Sequence, residues 1–157
     1  MSNFNLTSRP GIKLLVCSLG CIAALAIGGL YQPGEWYTDL NRAPWNPPNL
    51  VFPIAWTILY VLIAIAGWII AKAGKPILVT LWWLQLAFNA AWSWLFFGEQ
   101  WILLALVDLA LILSIVGYLV YRCRADLDTR TAGNLLIPYL AWLALALSLN
   151  AYIWIFN

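Results

Sequence analysis

The sequence predicts an all-α membrane protein, a five-transmembrane-helix bundle with a long structured loop between helices one and two. Three observations carry that prediction. Of the 157 residues, 64% are hydrophobic and 9% are charged, against roughly 25% charged in a soluble domain. Five successive apolar stretches each reach the roughly 20 residues that a helix needs to cross a bilayer core. The polar residues fall almost wholly between these stretches, which makes residues 1–157 a single transmembrane domain.

The first predicted helix, about 12–31, follows Arg9, Pro10 and Lys13. Its Gly20, Ala24 and Gly28 recur at four-residue spacing, which lets another helix approach closely, in the same chain or in a second copy. Cys17 and Cys21 share a face there and read as small packing residues. The loop 32–49 follows, part of the run YQPGEWYTDLNRAPWNPPN. Pro33-Gly34 marks a turn, Glu35 to Leu40 a short helical turn, and Pro44, Pro47 and Pro48 an extended or kinked backbone. Proline stiffness lowers the entropy of ordering such a loop, so it is expected to act as a fixed lid. Trp36, Tyr37 and Trp45 sit on it at membrane-interface depth. Helix two is expected at about 50–71 and, after the Lys72, Gly74, Lys75 turn, helix three at about 76–97. Helix four, about 101–121, carries Asp108, the one ionisable residue deep in a predicted span. A proton relay needs more than one such group, so a hydrogen-bonded structural carboxyl is expected. Helix five, about 133–156, follows a charged loop from Arg122 to Arg130.

Charge fixes an orientation and excludes several functions. Arg9, Lys13, Lys72, Lys75, Arg122, Arg124 and Arg130 lie on the side of the N-terminus, against Arg42 opposite. The positive-inside rule then makes the N-terminus cytoplasmic. The net charge of +2 therefore belongs to loops flanking helices, and no nucleic-acid-binding face is expected. With no His, three Cys and one Met, the chain offers neither a metal site nor a disulfide framework. It also lacks an acid, base and nucleophile constellation for ordinary hydrolysis or group transfer. No cofactor is required. Without an Arg- and Ser-rich transit-like extension, the bacterial inner membrane is the default location.

Polar side chains inside a span are the natural candidates for function. On helix three Trp82, Gln85, Asn89, Trp92 and Phe96 fall within an arc of about 80°. Helix five places Tyr139, Trp142, Ala146 and Asn150 within about 80°, and helix two lines up Trp56, Tyr60, Ile63 and Gly67. Three stripes of aromatics with a few amides can enclose a flat, mostly apolar ligand. They can equally pack on one another, with Gln85 and Asn89 hydrogen-bonding across helices. Eleven tryptophans and no histidine favour recognition by aromatic faces over imidazole ligation.

Larger motifs carry a resemblance. Trp36-Tyr37, Leu40, Pro44-Trp45-Asn46-Pro47-Pro48, Val51-Phe52 and Trp56-Thr57-Ile58-Leu59-Tyr60 are followed by Gln85 to Ser93 with Phe96-Phe97-Gly98. Ala105-Leu106-Val107-Asp108 and Pro138 to Trp142 with Leu149-Asn150 come after. In this order, from about residue 14 onward, they resemble the TspO/MBR family of tryptophan-rich sensory and translocator proteins. The resemblance implies a five-helix membrane protein, often a homodimer, that binds porphyrins and related tetrapyrroles, sterols and benzodiazepine-type ligands. Some bacterial members are reported to promote light- and oxygen-dependent porphyrin breakdown. Matching positions would put Trp36 and Tyr37 in the lid, with Trp56, Asn89, Trp92, Trp142 and Ala146 in the pocket.

With Trp45, Tyr60, Gln85 and Asn150 these form the expected ligand-binding set, and Trp56 and Trp142 are the candidates for any catalysis. The expected function is tetrapyrrole binding by a membrane sensor or transporter, with porphyrin, lipid and a second copy as partners. Photo-oxidative porphyrin degradation and a non-catalytic stress-signalling or assembly role are the alternatives. The missing histidines favour metal-free porphyrin over haem. After Tyr152 the chain reads Ile153-Trp154-Ile155-Phe156-Asn157, and the lack of a basic residue there argues against cholesterol.

Overall fold

A computed structural model describes residues 10–157; Arg9, counted above for orientation, lies outside the described residues. Those residues fold into helices without strands: α1 (Pro10–Gly29), α2 (Glu35–Asp39), α3 (Val51–Lys72), α4 (Pro76–Ser93), α5 (Ile102–Ala125), α6 (Arg130–Leu135) and α7 (Ile137–Phe156). By length and composition α1, α3, α5 and the run Arg130–Phe156 are apolar enough to cross a membrane. The fifth long helix, α4, is diluted by Gln85 and Asn89, both buried, and by its tryptophans. It continues through a π-helical turn, Trp94–Gly98, closed by Glu99 N–H donating to the Trp94 carbonyl at 2.9 Å.

Helix ends follow local chemistry. Gly74 adopts a left-handed φ of 68° that stops α3, and Pro76 opens α4, where its missing N–H removes nothing from the helix. Two predicted limits move. Helix four runs on to Ala125 instead of ending near Tyr121, and the stretch 133–156 belongs to two helices that meet at Leu136. Pro138 in the first turn of α7 explains the break, because its ring cannot continue the preceding turn.

Where lipid surrounds a bundle, apolar burial gives little drive for helix association, and close packing with interhelical hydrogen bonds takes over. The small-residue face of α1 is filled by α4 of the same chain. A Cβ on Gly20 would come within 2.6 Å of the Trp83 ring, and one on Gly28 within 3.3 Å of Ser93 Oγ. Ala24, Cys17 and Cys21 of α1 are buried as well. A tighter joint ties α3 to α4: Trp82, 1% exposed, lies flush on Gly67, where a Cβ would stand 2.3 Å from its ring. Its indole N–H donates to the Ile63 carbonyl at 3.0 Å. Leu15, Leu19, Ile22, Val61, Leu104 and Leu111 form part of the outer apolar surface.

The two ends differ in charge. Lys13, Lys72, Lys75, Arg122, Arg124 and Arg130 gather where α1, α4 and α6 start and α3 and α5 finish, whereas Arg42 stands at the opposite end. Lys13 Nζ donates to the Ala71 carbonyl at 2.8 Å, and Lys75 pairs with Asp126 at 2.6 Å.

Gly67→Ala is expected to lower stability by about 1–3 kcal/mol through overpacking against Trp82, read as earlier thermal unfolding in detergent. The Lys75 hydrogen bond, then the Asp128 amide, hold the Asp126 carboxyl below its usual value, while Asp126 raises the Lys75 ammonium. A depressed carboxyl stabilises the fold above its unfolded pKa and ceases to as pH falls through the folded one. The difference in melting temperature between wild type and Lys75→Met is therefore expected to begin shrinking near about pH 4, to vanish only below the lowered Asp126 value, and to shrink in high salt.

Candidate ligand-binding site

Four-residue spacing on α3 sets Phe52, Trp56 and Tyr60 along one face, and α7 meets it with Tyr139 and Trp142. Trp56 lies 5.5 Å from Tyr60, 6.3 Å from Tyr139 and 6.3 Å from Trp142, and Phe52 packs edge-on to Trp142 at 5.6 Å. Beneath these rings runs a chain of hydrogen bonds that crosses three helices. Tyr60 Oη donates to Asn89 Oδ1, Asn89 Nδ2 donates to Tyr139 Oη at 2.9 Å, and Tyr139 Oη donates to Gln85 Oε1 at 3.0 Å. Tyr139 and Gln85 are fully buried, and Tyr60 and Asn89 nearly so.

A second cluster sits under the lid. Trp36 and Tyr37 of α2 pack edge-on to Phe96 at 5.8 and 6.1 Å, and Tyr37 reaches Phe97 at 5.4 Å. Trp92 stacks on Phe96 at 5.1 Å with planes 14° apart. Its indole N–H donates to Asn150 Oδ1 at 3.3 Å, and Asn150 Nδ2 donates to the Ile102 carbonyl at 3.0 Å. One amide thus ties α4, α7 and the start of α5 together. Burial raises the Tyr37 phenol above its ordinary value, and Arg42, whose guanidinium stands 5.6 Å over the ring, offsets part of that.

The loop is fastened to α7 rather than left free. Asn41 N–H donates to Asn157 Oδ1 at 2.8 Å, and Asn157 Nδ2 donates to the Asn41 carbonyl at 3.2 Å. Trp45 donates to Ser148 Oγ at 3.2 Å and packs on Tyr152 at 5.4 Å. Of the residues expected at the site, Trp56, Tyr60, Gln85, Asn89 and Trp142 come together in the inner cluster. Trp36, Tyr37, Trp92 and Asn150 meet in the lid cluster, and Ala146 is partly buried against the core. Trp45, 53% exposed, joins neither and serves as a clasp on the outside of α7.

Several contributors were absent from the expected set. Tyr139 lies at the centre of the inner network and was legible on the helix-five stripe. Phe52, four residues before Trp56, could have been found by the same spacing. Phe97 could not, since it falls about 140° from Trp92 at α-helical pitch and only the π turn carries it to Tyr37. Asp108 is 6% exposed on α5, and one of its carboxyl oxygens and the Gln85 amide nitrogen have no partner among the described residues. The carboxyl expected to be hydrogen-bonded is thus unpaired at that oxygen.

The stripes pack on one another. The rings touch one another and the amides bridge helices. Outside, a groove of about 590 Å³ follows the loop beside Arg42, Asn46 and Pro47.

Residues 14–155 match the model of the TspO/MBR family. The chain is 39% identical over 131 residues to a tryptophan-rich sensory protein of Cereibacter sphaeroides, covering 83% of this chain and 82% of that one. It is 33% identical over 151 residues to the translocator protein of Homo sapiens, covering 89% and 85%. Protein CrtK of Rhodobacter capsulatus is 31% identical over 145 residues, covering 88% and 89%. The matched range takes in the lid, both aromatic clusters and all or most of each long helix.

Tyr139→Phe removes a donor to Gln85 and an acceptor for Asn89 together. Its expected loss of stability is about 1–3 kcal/mol, larger than for Tyr60→Phe, which removes one bond at the end of the chain; denaturant unfolding in micelles measures the difference.

Proposed function

The chain belongs to the TspO/MBR family, and from that premise we propose that it binds a tetrapyrrole between α3, α4 and α7 beneath the α2 lid. The observation that carries this reading is the meeting of Trp56, Trp142 and Tyr139 directly above a hydrogen-bonded amide. Each edge-on aromatic contact is worth about 0.5–1.5 kcal/mol, so stacking on a large ring offsets what is lost when the indoles separate. A porphyrin supplies a wide apolar face for Trp56 and Trp142, with Asn89 and the spare Gln85 N–H as polar anchors. Its carboxylates would reach the lid end, where Arg42 is the one basic residue among those described. The chain has no histidine, which favours metal-free porphyrin over haem.

Sensing or transport of such a ligand across a membrane fits a lid clasped at α7. The gathering of basic residues at one end supports a cytoplasmic N-terminus, with the bacterial inner membrane as the proposed location. Because α4 fills the small-residue face of α1, a homodimer would be built from other helix faces.

The adjacency of Trp56 and Trp142, 6.3 Å apart, favours a second reading in which these oxidisable rings assist degradation of bound porphyrin by light and O2. Porphyrin absorbance that decays under illumination no faster than with the Trp56→Phe/Trp142→Phe double variant rules it out.

Titration with protoporphyrin is expected to quench tryptophan fluorescence. Trp56→Phe and Trp142→Phe should each weaken binding by about 3- to 10-fold, the equivalent of one lost aromatic contact. Arg42→Gln should weaken binding of the free acid and leave its dimethyl ester unaffected. Unchanged titration curves in both tryptophan variants would sink the stacking reading.

A further inference from the structure

A groove of about 860 Å³ opens at the basic end, between the start of α4 and the end of α5. The porphyrin reading makes no use of it. Its charged lining is Lys75, Arg122, Asp126 and Asp128, two cations and two anions at the depth where the apolar spans end. Lys75 and Asp126 satisfy each other at 2.6 Å. The other two charges stay available: Arg122 stands 5.9 Å over the Tyr118 ring, and neither it nor Asp128 has a salt-bridge partner among the described residues.

The apolar lining points outward. Ile77 is 70% exposed, Tyr121 71% and Leu127 78%. Leu127 lies between two aspartates on a loop, and tyrosines are favoured at the depth of lipid headgroups. These side chains would meet acyl chains, while the charges just beyond them face the headgroup layer. One cation and one anion in a single groove are the complement of a zwitterion.

We propose that this groove is a phospholipid site selective for a headgroup carrying both a phosphodiester and a primary ammonium, which is phosphatidylethanolamine. Arg122 takes the phosphate through its fork of N–H donors. Asp128 accepts hydrogen bonds from the ammonium. A choline headgroup has the same charges and no N–H to donate, and a glycerol headgroup leaves the aspartates facing an anionic lipid with no cation between them. Lys75, already paired, holds the α5–α6 loop against α4 and keeps Asp128 at the groove.

The test is native mass spectrometry of the full chain in detergent, titrated with dioleoyl phosphatidylethanolamine, its mono- and dimethyl derivatives, the choline lipid and phosphatidylglycerol. Retention is expected to fall with each methyl group, reaching about tenfold for choline, the effect of losing a charge-assisted hydrogen bond. Arg122→Gln should weaken binding of every phospholipid, and Asp128→Asn should erase the preference for ethanolamine over choline. Equal retention of the ethanolamine and choline lipids by the wild-type chain overturns the proposal. So does stronger binding of phosphatidylglycerol, or an ethanolamine preference that survives Asp128→Asn. The methylation series uses the unaltered protein, and its outcome is independent of porphyrin binding.

Discussion

The fold depends on the chain of hydrogen bonds from Tyr60 through Asn89 and Tyr139 to Gln85. In a lipid-embedded bundle there is no gain from moving a leucine out of lipid and onto another leucine. A buried amide, by contrast, is held to its partners by the desolvation it would suffer without them. The chain joins α3, α4 and α7, the three helices whose aromatic rings form the inner cluster, and fixes the rotation at which those rings meet. Trp82 on Gly67 and Trp83 on Gly20 then set how closely α4 can approach α3 and α1.

The tryptophans follow from the same constraint. Trp82 is a spacer and a donor at once, bonded to a backbone carbonyl of the facing helix. Trp68 donates to the Pro10 carbonyl at 3.0 Å, fastening the start of α1 to α3. Trp94 donates to Glu99 at 2.9 Å within the turn that closes α4. Each places a large flat surface in lipid or protein and gives its single N–H a definite acceptor, which is how indoles are tolerated at depth. Trp56 and Trp142, like Trp83, have no such bond among the described residues and are held by contacts with neighbouring rings.

Much of this was legible in the sequence because helical spacing projects directly onto helix faces. Gln85 and Asn89 had to share a face, and so did Trp142 and Asn150; the structure turns those faces toward one another. The order of the spans was equally plain, as was the gathering of Lys72, Lys75 and Arg122 at one end. What spacing could not reveal was the partner of each face. The glycine stripe of α1 reads the same whether Trp83 or a second copy of the chain fills it. The loop was harder still: Trp45 resembles a lid residue by position, yet its bond to Ser148 depends on how the prolines route the backbone past α7.

The turn Trp94–Gly98 inserts one residue into the pitch of α4. Side chains before it answer to one helical phase and those after it to another, and the Trp92 ring stacked on Phe96 bridges the two. Gln85 and Asn89, before the turn, face the inner network, whereas Phe96 and Phe97, after it, receive the lid. A single helix thereby carries two surfaces in different phases, one turned to the inside of the bundle and the other to the lid that covers it.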